Sequence, residues 1–460
     1  MVEILVQGLN LSAGLAVKWY AFVFLRLLPT GSRYLPIILS CTLVYLASYF
    51  TLRSLAQNPT RTSIVTPILA LGGLYHPAYW RLSTAGALIT LVAPLLSYDF
   101  VYRAHFLHPS QYISFARVGW VTEMSASLLL RSTVPDQVDV SYWSSHDSSA
   151  VLHVELSQSS LKTDFTSRLY IEDLQPGITY FYNSTAGHKR SLTTRRSKHD
   201  QKQFNFLSTS CQKSDWPYNP LSYSLAISGL EHVDKVARKM ERKPEAILFL
   251  GDFVSRPSAN STAGFGKRTM LGESQLTAVK EWAEEGTRDG KLLVLVSGVP
   301  ITQNWSEGKD EMDSWALSGY LDEREEILEM LWSSGGAVVI SGDRPEHATT
   351  LFPPLPTSPH RSSSVVEFST SPLSFFHQPW NREYIPHPAT DIPIHLQWQG
   401  DSRFGVFEFD TTGEKPKVKF ELMVDGEKEW EYEWVKGADV IIPDVWQANA
   451  ACMNLKPQIL

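Results

Sequence analysis

The chain has 460 residues, too many for one ordinary domain, and it is 43% hydrophobic and 12% aromatic, enough for a sizeable core. Its formal net charge of −7 gives none of the basic surface that nucleic-acid binding requires, so no nucleic-acid partner is expected. With only three cysteines, the chain cannot be built on a disulfide framework.

The first segment, residues 1–105, is distinguished by its apolar runs. Residues 35–52 contain no charge and are about as long as a helix that crosses a bilayer. Weaker apolar runs, which are shorter or interrupted by charges or proline, occupy residues 16–28, 64–74 and 85–96. The pattern predicts a membrane-anchor region with one firm span and one or two weaker ones. The alternative is that the shorter runs are buried helices of a soluble protein.

The second segment, residues 112–196, has the pattern of an all-β domain. Short, partly alternating runs recur about every ten residues, separated by polar and serine-rich breaks, which is typical of a β-sandwich. Residues 174–182 resemble a turn followed by a tyrosine-bearing strand, as in fibronectin-type modules. No cluster of chemical groups occurs here, so we expect a spacer or a lid.

The third segment, residues 203–434, alternates strands with helices, which predicts a layered α/β fold with helices outside. Strands are predicted at residues 204–210, 246–250, 292–297 and 337–340, and helices at 221–241, 273–285 and 323–332. The later β runs, at 365–369, 404–409 and 418–426, predict a second sheet stacked on the first. The predicted fold class is therefore α/β, preceded by a small β-sandwich and a membrane anchor.

Two apolar strands of the third segment end in the same way. Residues 247–250 lead into Gly251 and Asp252, and residues 337–341 lead into Gly342 and Asp343. A carboxylate at this point offers a hard oxygen ligand at the carboxyl edge of a sheet, where open α/β sheets place their ligands. Most such pairs are turn aspartates or helix caps, but the repetition favours a metal site and hydrolysis of a phosphate ester.

Two further side chains lie near these strand ends in the sequence. Cys211 directly follows the strand at 204–210, where a thiolate could bind iron or zinc; the alternative is an inert core cysteine. Arg344 adjoins Asp343 and could pair with a phosphate through two hydrogen bonds, the alternative being a solvated surface arginine.

An ordered set of motifs resembles the PhoD-like metallophosphatases, in particular their membrane-anchored fungal branch. These motifs include Phe204-Asn-Phe-Leu-Ser-Thr-Ser-Cys-Gln-Lys, Trp216-Pro-Tyr-Asn-Pro, Phe249-Leu-Gly-Asp-Phe, Ser341-Gly-Asp-Arg and Glu367-Phe-Ser-Thr-Ser-Pro-Leu. The resemblance implies a metallophosphatase-type α/β sandwich and alkaline phosphatase or phosphodiesterase activity. It also implies a phosphate-ester substrate, with iron and calcium as cofactors and zinc or manganese as alternatives. Cys211, Asp252 and Asp343 match the family's metal ligands, and Arg344 matches the next motif position as a catalytic residue.

The same resemblance implies an integral membrane protein of the secretory pathway, the vacuole or the cell surface. The chain also departs from the family pattern. A segment of more than a hundred residues, with an Asp-Asp-His-Glu motif, is missing near Val254. Pro345 stands where the family has a histidine, and His347 is a candidate substitute. The tail, residues 435–460, diverges from the family. We therefore expect an impaired phosphoesterase or, alternatively, an inactive membrane-bound binding or scaffold protein.

Overall fold

The computed structural model of the chain forms two compact units, Met1–Phe100 with Gln203–Leu460, and Val101–Lys202. It describes residues 2–27, 30–55, 63–109, 112–132, 139–149, 151–155, 160–185, 187–197, 202–251, 269–302, 315, 320–344, 346–354, 358–360, 363–375 and 391–438.

The N-terminal segment is helical: α1 (Val2–Arg26), α2 (Gly31–Leu55), α3 (Thr66–Leu71) and α4 (Trp80–Leu107). Within the described residues, α1, α2 and α4 with its preceding turn are long and apolar enough to cross a membrane. Two of the apolar runs that the sequence predicts as weaker membrane spans, 16–28 and 85–96, thus lie largely within helices long enough to cross a membrane. The run at 64–74 forms only the short α3.

Small residues bring these helices close together, as in membrane bundles. A Cβ atom at Gly14 would lie 3.1 Å from the Tyr45 ring, and one at Gly86 would clash with the carbonyl oxygen of Leu71. Asn10 donates hydrogen bonds to the Tyr45 carbonyl and to Ser48 Oγ, at 3.2 and 3.0 Å. The side-chain amide nitrogen of Asn10 thereby joins α1 to α2.

The second unit contains a β-sandwich, as the alternating pattern predicts. Its strands are β1 (Phe115–Val121), β2 (Ala126–Arg131), β3 (Asp139–Ser144), β4 (Leu152–Glu155), β5 (Thr166–Ile171), β6 (Thr179–Ser184) and β7 (Lys189–Thr193). They form the sheets β1-β2-β5 and β4-β3-β6-β7 around one apolar core. Tyr180 Oη accepts a hydrogen bond from the Gln175 amide at 2.9 Å, which fixes the turn before its strand.

The C-terminal segment contains two stacked sheets among the described residues. Its elements are β8 (Gln203–Thr209), α5 (Ser228–Lys239), β9 (Ala246–Phe249), α6 (Gly272–Arg288), β10 (Leu293–Val296), α7 (Leu321–Ser333), β11 (Ala337–Ser341), β12 (His347–Phe352), β13 (Val365–Ser369), β14 (Ile392–Gln397), β15 (Arg403–Asp410), β16 (Lys417–Val424) and β17 (Glu427–Val435). The strand orders are β10-β11-β13-β12-β14 and β17-β16-β15-β8-β9. The predicted second sheet is confirmed, and β8 and β9 belong to it.

Alternating side chains explain this layering. Along β11, Val338 and Ile340 pack between the sheets, whereas Val339 packs beneath α7. Along β15, Phe407 lies in the inter-sheet core, whereas Val406 packs with residues of α5. The order is thus helices, sheet, sheet, helix, the layered α/β sandwich that was predicted.

Helix α5 begins at Ser228, so the predicted start at residue 221 is wrong. Apolar residues at 221 and 225 suggested a longer helix, but both are exposed in the loop before it. Strands β12, β14 and β17 were not predicted from the sequence.

Candidate functional site

The strand ends that carry the predicted ligands meet at one edge of the two sheets. Ser210, which follows β8, has its Oγ 3.0 Å from the Asp343 amide and 2.9 Å from Ser371 Oγ. A Cβ atom at Gly342 would lie 2.5 Å from Ser210 Oγ and 2.8 Å from the Leu250 carbonyl oxygen. The ends of β8, β9, β11 and β13 are therefore in contact, although β11 and β13 belong to the other sheet.

Cys211 is buried at this edge, with only 3% of its surface exposed. Its Sγ lies 3.5 Å from the Asp343 carbonyl oxygen and 3.4 Å from Ser210 Oγ. Its backbone has a φ of +52°, a left-handed conformation that is unfavourable for a residue with a side chain. The structure thus places two of the predicted ligands next to each other.

Asp343 also has a left-handed backbone, with a φ of +75°, and its side chain is half-buried. Arg344 follows it and is buried, with 5% of its surface exposed. The alternative reading of Arg344 as a solvated surface arginine is therefore wrong. A buried guanidinium beside a strand-end carboxylate has the character of an anion-binding group.

Asp252 lies outside the described residues, as do residues 253–268 and hence the junction near Val254. Its neighbour Gly251 is described. This glycine has a φ of +99°, and a Cβ atom there would lie 3.7 Å from the Gly298 carbonyl oxygen. The end of β9 at Gly251 therefore belongs to the edge where Cys211 and Asp343 lie.

His347, the candidate substitute for the missing histidine, is a core residue. Its ring nitrogens lie 3.0 Å from the Thr370 and Thr349 hydroxyls, and its ring stacks on Phe420 at 5.3 Å. Burial lowers its pKa well below the usual value. Both nitrogens are already bonded, so His347 does not replace the lost ligand. Pro345, which occupies that position, lies outside the described residues.

The number and chemical type of the donor atoms determine whether these residues can bind a metal ion. In the described part of the chain, no three His, Cys, Asp or Glu side chains form a group that could hold one. Cys211 and Asp343 supply a soft thiolate and a hard carboxylate, a mixture that suits iron better than calcium. The described donors therefore make up at most part of a metal site.

A buried polar network, which the sequence reasoning missed, supports the loop after β10. Glu367 on β13 accepts hydrogen bonds from the Ile301 and Thr302 amides, at 2.7 and 2.9 Å, and from Ser341 Oγ at 2.9 Å. Burial raises the pKa of Glu367 to about 7. The signal in the sequence was a glutamate inside an apolar strand.

Arg324 completes this network from helix α7. Its Nε donates to the Ile301 carbonyl at 2.7 Å, and its guanidinium pairs with Asp391 at 2.6 Å. Both charged side chains are fully buried, so each depends on the other. The network thus fixes residues 301–302, which follow β10, at the edge of the sheet where the candidate site lies.

Comparisons with known proteins find similarity to the PhoD-like phosphatases. Residues 238–420 match the family model described as PhoD-like phosphatase. The solved structure of PhoD covers 73% of this chain and 96% of its own, with 11% identity and a TM-score of 0.51. No curated protein matched.

Two other solved structures match 18% of the chain each. They are the FN1–FN3 domains of chicken CNTN1 (19% identity, 31% of that chain, TM-score 0.15) and the sensor domain of an anti-sigma factor from Pseudobacteroides cellulosolvens (15%, 95%, 0.16). These scores are too low to support an argument about the fold. The chain therefore shares the fold of PhoD, and residues 238–420 resemble the PhoD-like phosphatases in sequence.

Proposed function

We propose that the chain is a membrane-anchored, metal-dependent phosphoesterase of the PhoD-like type, impaired in the form given by this sequence. The main supporting observation is that Cys211 and Asp343 meet at the edge that the end of β9, at Leu250, also reaches. The match of residues 238–420 to the phosphatase family supports a phosphate-ester substrate. The three long apolar helices support the membrane anchor.

In this proposal Cys211, Asp252 and Asp343 hold the metal, and Arg344 binds the substrate phosphate. The chemistry that such an ion supplies is a bound water with a pKa near neutrality, able to attack phosphorus. Arg344 would orient the phosphate and offset charge in the transition state. Loss of one such contact commonly costs about a hundredfold in rate or more. The missing segment and Pro345 remove several contacts, which is why we propose impairment.

The second candidate function is an inactive membrane-bound binding or scaffold protein. It is favoured by the absence of a three-donor group among the described residues. It predicts a folded chain without stoichiometric metal.

The test is metal content and hydrolysis of bis-p-nitrophenyl phosphate by the purified full chain in detergent, beside Asp343→Asn. Asp234→Asn is the matched control, because Asp234 is exposed on α5 and pairs with Arg238 of the same helix. We expect the unchanged chain and the control to bind metal, and Asp343→Asn to lose it. A folded chain without metal would favour the scaffold. Sequencing the transcript across the Val254–Ser255 junction tests whether a longer form exists.

A further inference from the structure

The segment that follows Cys211 ends in a braced loop, residues 215–226. The Asp215 amide donates a hydrogen bond to the Ala226 carbonyl at 2.7 Å, which closes the base of the loop. Ser222 Oγ donates to Asp215 Oδ1 at 2.5 Å, and the Leu221 amide donates to Asn219 Oδ1 at 3.0 Å. The loop therefore has a defined shape.

The tip of the 215–226 loop presents apolar side chains outward. Leu221 is 94% exposed and Tyr223 is 59% exposed, and Leu225 is also exposed. Ser224, between the last two, is buried, so the alternate positions face inward. A single exposed leucine is common on soluble proteins, but an ordered loop with several apolar side chains at its tip marks an interaction site.

The beginning of the same loop is packed against the long helices. Trp216 and Tyr218 are buried in an apolar cluster with Phe24, Tyr34 and Phe100. The Tyr218 ring lies 5.2 Å from that of Phe100, and its hydroxyl donates to Asp99 Oδ2 at 2.7 Å. The loop is thus attached to α1, α2 and α4 together.

This attachment lies at the polar end of the three helices. The charges at this end are Arg26 at the end of α1, Arg33 in the first turn of α2, and Asp99 after the apolar run of α4. Charged residues at the ends of apolar helices mark the boundary of a bilayer, where tyrosine and tryptophan side chains are enriched. The loop tip therefore lies near the level of a membrane surface.

We propose that the 215–226 loop is an interfacial anchor that inserts Leu221 and Tyr223 into the headgroup region of the bilayer spanned by α1, α2 and α4. The occupant of this apolar surface is lipid, because Trp216 and Tyr218 attach the loop to the charged ends of the helices and Leu221 follows Tyr218 by only three residues. The inference rests on the membrane anchoring in the proposed function. Its consequence is that the Cys211 loop, at the candidate site, is held close to the bilayer surface.

The experiment is depth-dependent fluorescence quenching in the full chain, reconstituted in phosphatidylcholine vesicles. Cys41, Cys211 and Cys452 are replaced by serine, and Leu221→Cys is labelled with bimane. Because Leu221 is almost fully exposed, its replacement does not disturb packing. We expect a blue shift in emission and loss of intensity with lipids that carry a nitroxide near the headgroup.

Two controls separate the outcomes. Glu429→Cys, on the exposed face of β17, should not be quenched, and Leu43→Cys, exposed on α2, should be quenched by deep nitroxide lipids. Quenching at position 43 without quenching at 221 would overturn the interfacial loop and leave the anchor intact. Absence of quenching at position 43 would overturn the membrane anchoring, and the loop inference with it.

Discussion

Replacement of Gly342 by alanine tests the meeting of the strand ends, on which the candidate site depends. The new Cβ atom would lie 2.5 and 2.7 Å from Ser210 Oγ and Cβ, and 2.8 Å from the Leu250 carbonyl oxygen. One of these neighbours is backbone, so the clash cannot be relieved by a side-chain rotation alone. Overpacking of this kind typically costs about 1–3 kcal/mol of unfolding free energy.

Gly298→Ala is the matched control, because its Cβ atom would meet nothing within 4 Å. A glycine-to-alanine change at an unstrained position commonly stabilises a protein by about 0.4–1 kcal/mol through the unfolded state. The two variants should therefore differ by roughly 1.4–4 kcal/mol.

Because the unfolding entropy grows with chain length, each kcal/mol shifts the Tm of a 460-residue chain by only about 1 °C. The expected Tm difference is therefore on the order of a few degrees, measurable by calorimetry of the full chain in detergent. Equal Tm values for Gly342→Ala and Gly298→Ala would refute the contact between the two sheet edges.

Three further changes test the buried groups around this edge. Burial raises the pKa of Glu367 from 4.5 to about 7, so between these pH values the folded state holds a proton that the unfolded state has lost. The free energy of unfolding therefore falls as pH rises from 4.5 to 7, by about 3 kcal/mol in total. Glu367→Gln should remove this pH slope in Tm between acidic and mildly alkaline buffers; an unchanged slope would contradict the assignment. Arg324→Met removes the guanidinium that pairs with the buried Asp391 and should lower the free energy of unfolding, measured with denaturant, by about 3–5 kcal/mol. Arg238→Met, at an exposed ion pair, should leave the free energy of unfolding unchanged. Cys211→Ser should weaken metal binding by more than about tenfold, because replacing even a residue that only hydrogen-bonds to a metal ligand lowers metal affinity by that much. Cys41→Ser should leave metal affinity unchanged.

The sequence predicted those features that depend on local periodicity. β11 is a continuous apolar run that is buried on both faces, so the sequence predicted both the strand and its end at Gly342. The sequence of β17 also has a strand pattern, since Trp430, Tyr432 and Trp434 alternate with charged residues, but this strand was not predicted. The polar threonines in β12 obscured a strand that is buried because one face packs against the other sheet and the opposite face against the helical layer.

The sequence could not predict which distant loops meet. Ser210 and Ser371 are bonded across 161 positions, and Glu367 binds the Ile301 amide across 66. The first contact depends on the stacking of two sheets and the second on the order of the strands within one sheet, and no local sequence pattern indicates either. The same applies to the 215–226 loop, whose exposed Leu221 and Leu225 have the spacing of a helix and suggested one.

The backbone of Asp343 distinguishes a chemical role for its carboxylate from a structural one. A φ of +75° costs a residue with a side chain roughly 1–2 kcal/mol, and glycine would avoid this cost. If the carboxylate serves metal binding, Asp343→Gly should abolish metal uptake and, compared with the unchanged chain in metal-free buffer, leave Tm unchanged or higher. Asp343→Asn should also lose metal, with little change in Tm in the same metal-free buffer. If the carboxylate instead braces the strand edge, both variants should lose stability together. Parallel calorimetry and metal analysis of the two proteins separate these cases, because the strain is relieved only by glycine and the charge is removed by both.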